Sequence, residues 1–223
     1  MAESDRGSVK KLDLKKLLGR LYAPTGRTIH LVQVPRLQFA MIEGRIGKSQ
    51  SPSTSPGFQQ ATQALYGIAY TLKFMMKQRK SGAVDYPVMA LEGLWWIDDG
   101  KFDITRPGNW LYTLMILEPD VITQETFEQG LEEVRRKRGD SPALSALRLA
   151  AFEEGLCVQV MHIGPYSEEP STIERMEAFA HEKGYTDAVG HGGKHHEIYL
   201  GDPRKANPAR LKTVLRHPLM GRR

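Results

Sequence analysis

The hydrophobic positions of the chain follow two different spacings, one typical of helices and one typical of strands. Between residues 58 and 80 apolar side chains recur every three or four positions, which predicts an amphipathic helix with one buried side. Residues 29–44 are rich in apolar and β-branched side chains and are interrupted by Pro35, which predicts strand structure broken at that proline. Residues 88–98 and 109–117 have the same strand character and flank turn-forming residues, so they predict a hairpin.

The second half of the chain repeats the order of the first. A strand that ends in glycine, a helix and two further strands describe residues 31–117 and, again, residues 156–219. In this order AMIEG corresponds to VMHIG, and EGLWW, which starts at Glu92, corresponds to EIYLG, which starts at Glu197. The pattern predicts an α+β protein of two duplicated βαββ modules, related by a pseudo-twofold axis and separated by a ligand groove.

The repeat also predicts how the chain is divided. Repeat one covers about 28–120 and repeat two covers 155–220. Two connecting helices, at about 123–138 and 142–154, are expected between them, the first with Thr123 as its N-cap. Residues 1–27 form an N-terminal extension in which a short amphipathic helix is expected.

Composition excludes several classes of protein. The 223 residues are 40% hydrophobic and 26% charged, and no apolar run approaches the roughly 20 residues of a membrane helix. The start of the chain does not resemble a signal peptide, so a cytoplasmic location is expected. The formal charge is +5, but zinc-finger spacing and RNA-binding aromatic motifs are missing, which argues against specific nucleic-acid binding. The single cysteine, Cys157, lies in an apolar run and is expected to pack in the core.

Two glutamates are the main candidates for chemistry. Alternation along HHEIYLG places Glu197 and Tyr199 on one side of a strand, while Ile198 and Leu200 point to the core. The repeat predicts that Glu92 reaches the same groove from the other module. Strict alternation groups Glu92 with Leu94 and Trp96, whereas a bulge at Gly93 would group it with Trp95.

Other side chains carry weaker signals. Tyr112 belongs to a strand whose buried face cannot be read by counting, and Tyr66 and Tyr70 form a helical stripe that is typical of either core or ligand wall. His162 is compatible with a structural or a catalytic role. A metal site in HGGKHHE is disfavoured because His195 and His196, as strand neighbours, point apart.

The motifs LYGIAYTLKF, VMALEGLWW, HIGPYSEE and HHEIYLGDPRK…LKTVLRHPL resemble those of GyrI-like small-molecule-binding proteins in their stand-alone form. The resemblance covers roughly residues 10–220. It implies two βαββ modules of the SHS2 type around a groove whose acid and aromatics face planar or cationic ligands. Some stand-alone relatives hydrolyse cyclopropanoid DNA-alkylating antibiotics, a form of xenobiotic detoxification. The chain departs from the family pattern at GRIGKSQSPSTSPG, where relatives commonly have glycine-aspartate-proline, and at Ala90, where they often have proline.

Three function classes follow: a hydrolase of cyclopropanoid toxins, a binding module for hydrophobic or cationic drugs, and an interaction module such as a gyrase modulator. A groove with two acids needs no cofactor or metal for acid/base chemistry. The predicted catalytic residues are Glu92, Glu197 and, as proton donor, Tyr166. The predicted ligand-binding residues are Trp95, Trp96, Tyr112, Tyr66, Tyr70, His162 and Tyr199.

Overall fold

The computed structural model describes residues 9–24, 28–98, 100, 102–105, 108–203 and 205–221, so residues 1–8 and 25–27 of the predicted extension lie outside the described part. The elements of the first half are β1 (Lys10–Lys11), α1 (Leu14–Leu17), α2 (Gly19–Tyr22), β2 (His30–Val34), β3 (Leu37–Arg45), α3 (Pro56–Lys77), β4 (Val84–Asp85), β5 (Leu91–Trp96) and β6 (Leu111–Leu117). Those of the second half are α4 (Gln124–Arg138), α5 (Pro142–Ser145), β7 (Arg148–Phe152), β8 (Gly155–Ile163), α6 (Glu169–Glu182), β9 (Tyr185–Asp187), β10 (His195–Tyr199) and β11 (Lys212–Gly221). Short 3₁₀ helices cover Tyr166–Glu168 and Pro208–Arg210.

One antiparallel sheet organises the molecule, with strand order β2-β8-β11-β10-β5-β6-β3-β7 and β9 added beside β11. The first repeat contributes β5, β6 and β3, the second contributes β10, β11 and β8, and the halves meet where β5 pairs with β10. Two further strands cross between the halves: β2, which precedes β3 in the chain, pairs with β8 of the second repeat, and β7, which precedes β8, pairs with β3 of the first. The predicted α+β class with duplicated βαββ modules is confirmed.

Local signals set most of the element boundaries. Pro35 separates β2 from β3, as predicted. The long helix α3 begins at Ser55, whose hydroxyl caps the backbone N–H of Phe58, and α4 begins at the predicted cap Thr123. The prediction of a second connecting helix at about 142–154 is wrong, because only Pro142–Ser145 is helical and Arg148–Phe152 forms β7. Pairing with the otherwise open edge of β3 outweighs the helical pattern there.

The two faces of the sheet have different coverings. Both long helices of the repeats lie on one face, named here the groove face: Phe58 of α3 contacts Trp95, and Met176 of α6 packs with Leu215. The other, the rear face, is covered by residues of α1 and α2, of which Leu14, Leu21 and Tyr22 are buried. Among the described residues, no helix combines the length and the apolar character that crossing a membrane would need.

Candidate functional site

The register of the central pair separates the two predicted catalytic glutamates. Glu197 lies opposite Gly93, and Glu92 lies opposite Ile198. Since cross-strand partners share a face, Glu197 belongs to the groove face and Glu92 belongs to the rear face. The ladder runs without a bulge at Gly93. The expectation that both acids line one groove is therefore wrong. A twofold axis perpendicular to the sheet preserves its faces, so Glu92 and Glu197 are not equivalent positions.

Glu197 sits in a hydrogen-bonded setting on the groove face. Its Oε1 lies 3.0 Å from Nε2 of His195, and its carboxyl group accepts a hydrogen bond from the hydroxyl of Tyr199. The indole N–H of Trp95 in turn donates to that hydroxyl over 2.9 Å. Burial first, and then the charge of Glu197, raises the pKa of Tyr199 well above its ordinary value. The hydroxyl of Tyr199 therefore stays protonated and keeps its hydrogen bond to Glu197.

A third glutamate, Glu169, lies beside Glu197 in the position that the sequence analysis predicted for Glu92. It is the first residue of α6 and is fully buried, and among the described residues neither of its carboxyl oxygens has a hydrogen-bond partner. Burial, followed by the nearby charge of Glu197, raises its pKa to about 10. Burial beside a second carboxyl group therefore favours the protonated form of Glu169 at neutral pH. Only a weak sequence signal pointed to Glu169, because SEEPSTIE has the ordinary acidic start of a helix.

Aromatic rings pack around Trp95 on the same face. Phe58 and Phe102 stack on its indole at centroid distances of 5.8 and 6.2 Å, and Trp110 and Tyr112 meet it edge-on. Two glycines make room for these rings. A Cβ at Gly93 would lie 2.7 Å from the Trp95 indole nitrogen, and one at Gly44 would lie 2.2 Å from the Tyr112 hydroxyl. These rings pack on one another as part of the hydrophobic core, and Phe102 and Trp110 at the edge of the cluster also line a cavity.

A cavity of about 720 Å³ opens beside this cluster, between α6 and the segment that follows β5. Phe102, Trp110 and Ile173 supply apolar walls, and His195 and His217 line it as well. Its acidic lining residues are Asp103, Glu174 and Glu177. The cavity is linked to the acid pair through two of its lining residues: His195, which contacts Glu197, and Pro170, which follows Glu169 in the chain. Its size and lining suit a small aromatic molecule, and its carboxylates favour a cationic one.

The other predicted ligand-binding residues fall in several places. Tyr166 meets the ring of Tyr199 edge-on at 6.2 Å, and burial followed by the charge of Glu197 raises its pKa. Trp96 lies on the rear face, with the Lys194 ammonium 3.5 Å from its ring centroid. His162 holds α6 in place through Thr172 at 3.0 Å.

The tyrosine stripe of α3 belongs to a different part of the molecule. Tyr66 and Tyr70 contact each other at 6.4 Å, and Tyr70 is half exposed. Tyr70 lines a depression of about 440 Å³ between α3 and α4, together with residues of both helices. The placement of Tyr70 in the central groove is therefore not supported. The helical spacing was read correctly, but it could not tell which neighbour the stripe would meet.

The rear face holds a closed polar network around His196. Its ring nitrogens lie 3.0 Å from an oxygen of Glu92 and 2.9 Å from one of Glu154. Arg216 bonds the same Glu154 oxygen at 3.3 Å, and the Tyr22 hydroxyl donates to Glu92. Both ring nitrogens of His196 face carboxyl groups, an arrangement that favours a doubly protonated ring donating from both nitrogens. Burial opposes this charge, but the two carboxylates outweigh it and raise the pKa of His196.

Two groups of side chains bring metal-type donor atoms within 4.8 Å of one another in the described part of the chain: Glu169, His195 and Glu197, and Glu177, Asp187 and His217. In both groups each histidine nitrogen already lies at hydrogen-bond distance from a neighbouring side chain. The contacts of His195 with Glu197 and of His217 with Asp187 join members of the same group, so these side chains are engaged with one another in hydrogen bonds.

Comparison with known proteins agrees with this fold and groove. The GyrI-like small molecule binding domain family matches residues 27–220. An uncharacterized conserved protein from Listeria innocua shares 42% identity over 94% of this chain and 100% of the relative, with a TM-score of 0.84. A hydrolase from Listeria innocua shares 40% identity over 94% of this chain and 100% of the relative, with a TM-score of 0.80. The EcmrR C-terminal domain shares the fold alone. It has 10% identity over 88% of this chain and 99% of the relative, with a TM-score of 0.52. No curated protein gives a significant match.

Proposed function

Because the chain belongs to the GyrI-like family of small-molecule-binding proteins, we propose that it hydrolyses planar electrophilic small molecules, with cyclopropanoid DNA-alkylating compounds as the substrate class. The observation that carries this proposal is the fully buried carboxyl of Glu169, which has no hydrogen-bond partner among the described residues and lies within 4.8 Å of donor atoms of His195 and Glu197. Acid/base hydrolysis uses two carboxyl groups with different pKa values, one that donates a proton and one that accepts a proton. The hydrolase from Listeria innocua, similar over almost the whole chain, supports a reaction of the hydrolytic class.

The roles follow from the two environments. Glu197 takes a proton from water, whose oxygen forms a bond to the exposed methylene of the cyclopropane. The ring C–C bond breaks, and its electron pair moves through the dienone to the carbonyl oxygen. Glu169 gives its proton to that oxygen, which becomes a phenol. Water is thereby added across the broken bond, and each proton transfer contributes about 10²–10⁴ to the rate.

This assignment replaces two of the predicted roles. Glu92 is held by Tyr22 and His196 on the rear face, so it does not act on a substrate in the groove. Tyr166 is a weaker acid than Glu169, because its raised pKa starts from that of a phenol. We propose that Tyr166 packs beside the substrate and that Glu169 is the donor. Phe102 and Trp110 stack on the planar ligand within the cavity.

The test is mass spectrometry of a duocarmycin-type cyclopropanoid incubated with the wild-type protein, Glu197→Gln and Glu169→Gln, beside a sample without protein. We expect a water adduct well above background with the wild type and a loss of about 10²-fold or more in each variant. Glu168→Gln is the matched control, because this neighbouring glutamate is exposed. Wild-type activity should survive treatment with EDTA, since neither role needs a metal. Adduct formation at the background rate by the wild type would refute the proposal.

A second function is favoured by the aromatic walls and acidic lining of the cavity. A protein that only binds hydrophobic or cationic drugs would quench tryptophan fluorescence on ligand addition without forming a water adduct. Glu197→Gln and Glu169→Gln distinguish the two functions. A hydrolase loses turnover and keeps its affinity for a neutral ligand, whereas a cation binder loses affinity when the carboxylate is removed.

A further inference from the structure

A chain of hydrogen bonds leads from Glu197 away from the acid pair. Nε2 of His195 lies 3.0 Å from Glu197, and Nδ1 of the same ring lies 2.7 Å from Nε2 of His217. Nδ1 of His217 lies 2.5 Å from Asp187, where the chain ends. We propose that His195, His217 and Asp187 form a proton relay that exchanges the proton of Glu197 with solvent. The relay rests on the proposed hydrolytic function, in which Glu197 gains a proton in every turnover.

The number of protons in this chain supports the relay. Three hydrogen bonds need three protons, whereas two neutral imidazoles supply only two N–H groups. The complete chain therefore contains one proton more than its two neutral rings, either on a ring or on a terminal carboxyl. That extra proton can be placed at either end without breaking a hydrogen bond.

The transfer is balanced at each step. When Glu197 is protonated, its O–H donates to Nε2 of His195, Nδ1–H of His195 donates to His217, and Nδ1–H of His217 donates to Asp187. Each proton then moves across its own bond. Glu197 returns to the carboxylate, both rings exchange tautomers, and Asp187 holds the proton, which it releases to water. The same transfers in reverse carry a proton from water at Asp187 to Glu197, which passes it to the carboxylate that Glu169 became in the reaction, so both rings and both acids return to their starting states. No bond between heavy atoms forms or breaks, and no co-reactant is needed.

The surroundings favour release at the Asp187 end. His195 and His217 are buried to 1% exposure, whereas the side chain of Asp187, on β9, is 9% exposed. Burial lowers the pKa of His195, so a neutral ring that can pass a proton on is favoured. Phe102 stacks on His195 at 5.2 Å, which fixes the ring plane, and Val189 N–H fixes Asp187 at 2.8 Å. Glu177 of α6 lies close to Asp187 and His217 and makes the outer end more negative.

His196 shows what a purely structural histidine looks like in the same strand. It donates from both ring nitrogens to carboxylates, so neither nitrogen can accept a proton. His195 instead contacts a carboxylate on one side and another imidazole on the other, and each ring can change tautomer. His195, His217 and Asp187 are positioning residues that act through Glu197.

The kinetic test compares kcat and KM for a cyclopropanoid substrate in the full-length wild type, Asp187→Asn and His217→Gln. We expect kcat to fall about tenfold, less than the loss of a direct general base, with KM unchanged. Rising concentrations of imidazole buffer should restore kcat, because a small buffer can collect the proton that the relay no longer carries. Glu182→Gln, which removes an exposed carboxylate at the end of α6, should keep the wild-type kcat. Unchanged kcat in both relay variants, or a loss that buffer does not restore, would overturn the relay.

A second measurement is independent of activity and separates failure of the relay from failure of the proposed function. In ¹⁵N-histidine-labelled wild-type protein, we expect a scalar coupling across the hydrogen bond between His195 and His217, and a joint response of both rings to pH. Independent titration of the two rings without coupling would refute the relay, whether or not the protein hydrolyses anything. Coupled rings in a protein that forms no water adduct would reject the hydrolytic function and keep the proton pathway.

Discussion

His195 and His196 are neighbours in one strand, each with 1% of its surface exposed, and they belong to opposite kinds of site. On the rear face, Glu92 and Glu154 are matched by His196 and Arg216, and the carboxylates are bonded. On the groove face, Glu169 has no partner among the described residues and adjoins a second acid. A matched, fully bonded network stabilises a fold. An orphaned carboxyl beside a cavity costs stability, and such costs are typical of functional sites.

The largest expected effect on stability comes from breaking the rear network. His196→Ala leaves Glu92 and Glu154 buried without the imidazolium between them, and it should lower the free energy of unfolding by about 3–5 kcal/mol. Urea denaturation measures the change. His191→Ala, at an exposed position, is the control and should stay within about 0.5 kcal/mol. A loss of stability as small as that of the control would mean that the rear-face network does not stabilise the fold.

Removing the buried acid of the groove face should raise the free energy of unfolding, whereas removing His196 from the rear face should lower it. The pKa of Glu169 is about 10, against an ordinary value of 4.5, because burial and then Glu197 disfavour its charged form. Between these values the folded chain binds more protons than the unfolded chain, so stability falls as pH rises. Glu169→Gln should therefore raise the free energy of unfolding at pH 8 by about 2 kcal/mol, while the proposed hydrolytic activity falls by about 10²-fold or more.

The pH dependence of this variant sharpens the result. His196 also stabilises the fold below its unfolded pKa, and this contribution is lost as pH rises through the raised folded value. The wild type and Glu169→Gln share that slope, so only the difference between their denaturation curves from pH 5 to 9 reports Glu169. A difference that does not grow with pH would show that Glu169 is charged in the folded state.

A smaller effect is expected where the groove face is tightly packed. Gly93→Ala places a Cβ 2.7 Å from the Trp95 indole nitrogen and 3.0 Å from the Tyr199 hydroxyl, so their hydrogen bond must shift. We expect a loss of about 1–2 kcal/mol and an altered tryptophan emission spectrum. Gly57→Ala, which meets nothing within 4 Å, should leave the emission unchanged. Identical spectra for Gly93→Ala and the wild type would argue against this packing.

The predicted helix at 142–154 and the predicted groove position of Glu92 failed for the same reason. Residues 142–154 have a helical pattern, but Arg148–Phe152 pairs with β3 because the sheet needs an edge partner there. Glu92 has the right neighbours in sequence, but pairing with Ile198 turns it to the rear face. Both outcomes depend on strand partners that are remote in the chain, and periodicity carries no information about them.

The sequence by itself determined the elements that depend on local chemistry: the break at Pro35, the cap at Thr123, the repeated order of strand, helix and two strands, and the alternation that separates Glu197 from Ile198. Only the tertiary structure decided which acid accompanies Glu197. Glu169 starts a helix that is remote from β10 in the chain, and it becomes a neutral acid because folding buries it beside a like charge. Burial and charge proximity belong to the assembled fold, whereas turns, caps and alternation act between residues close together in the chain.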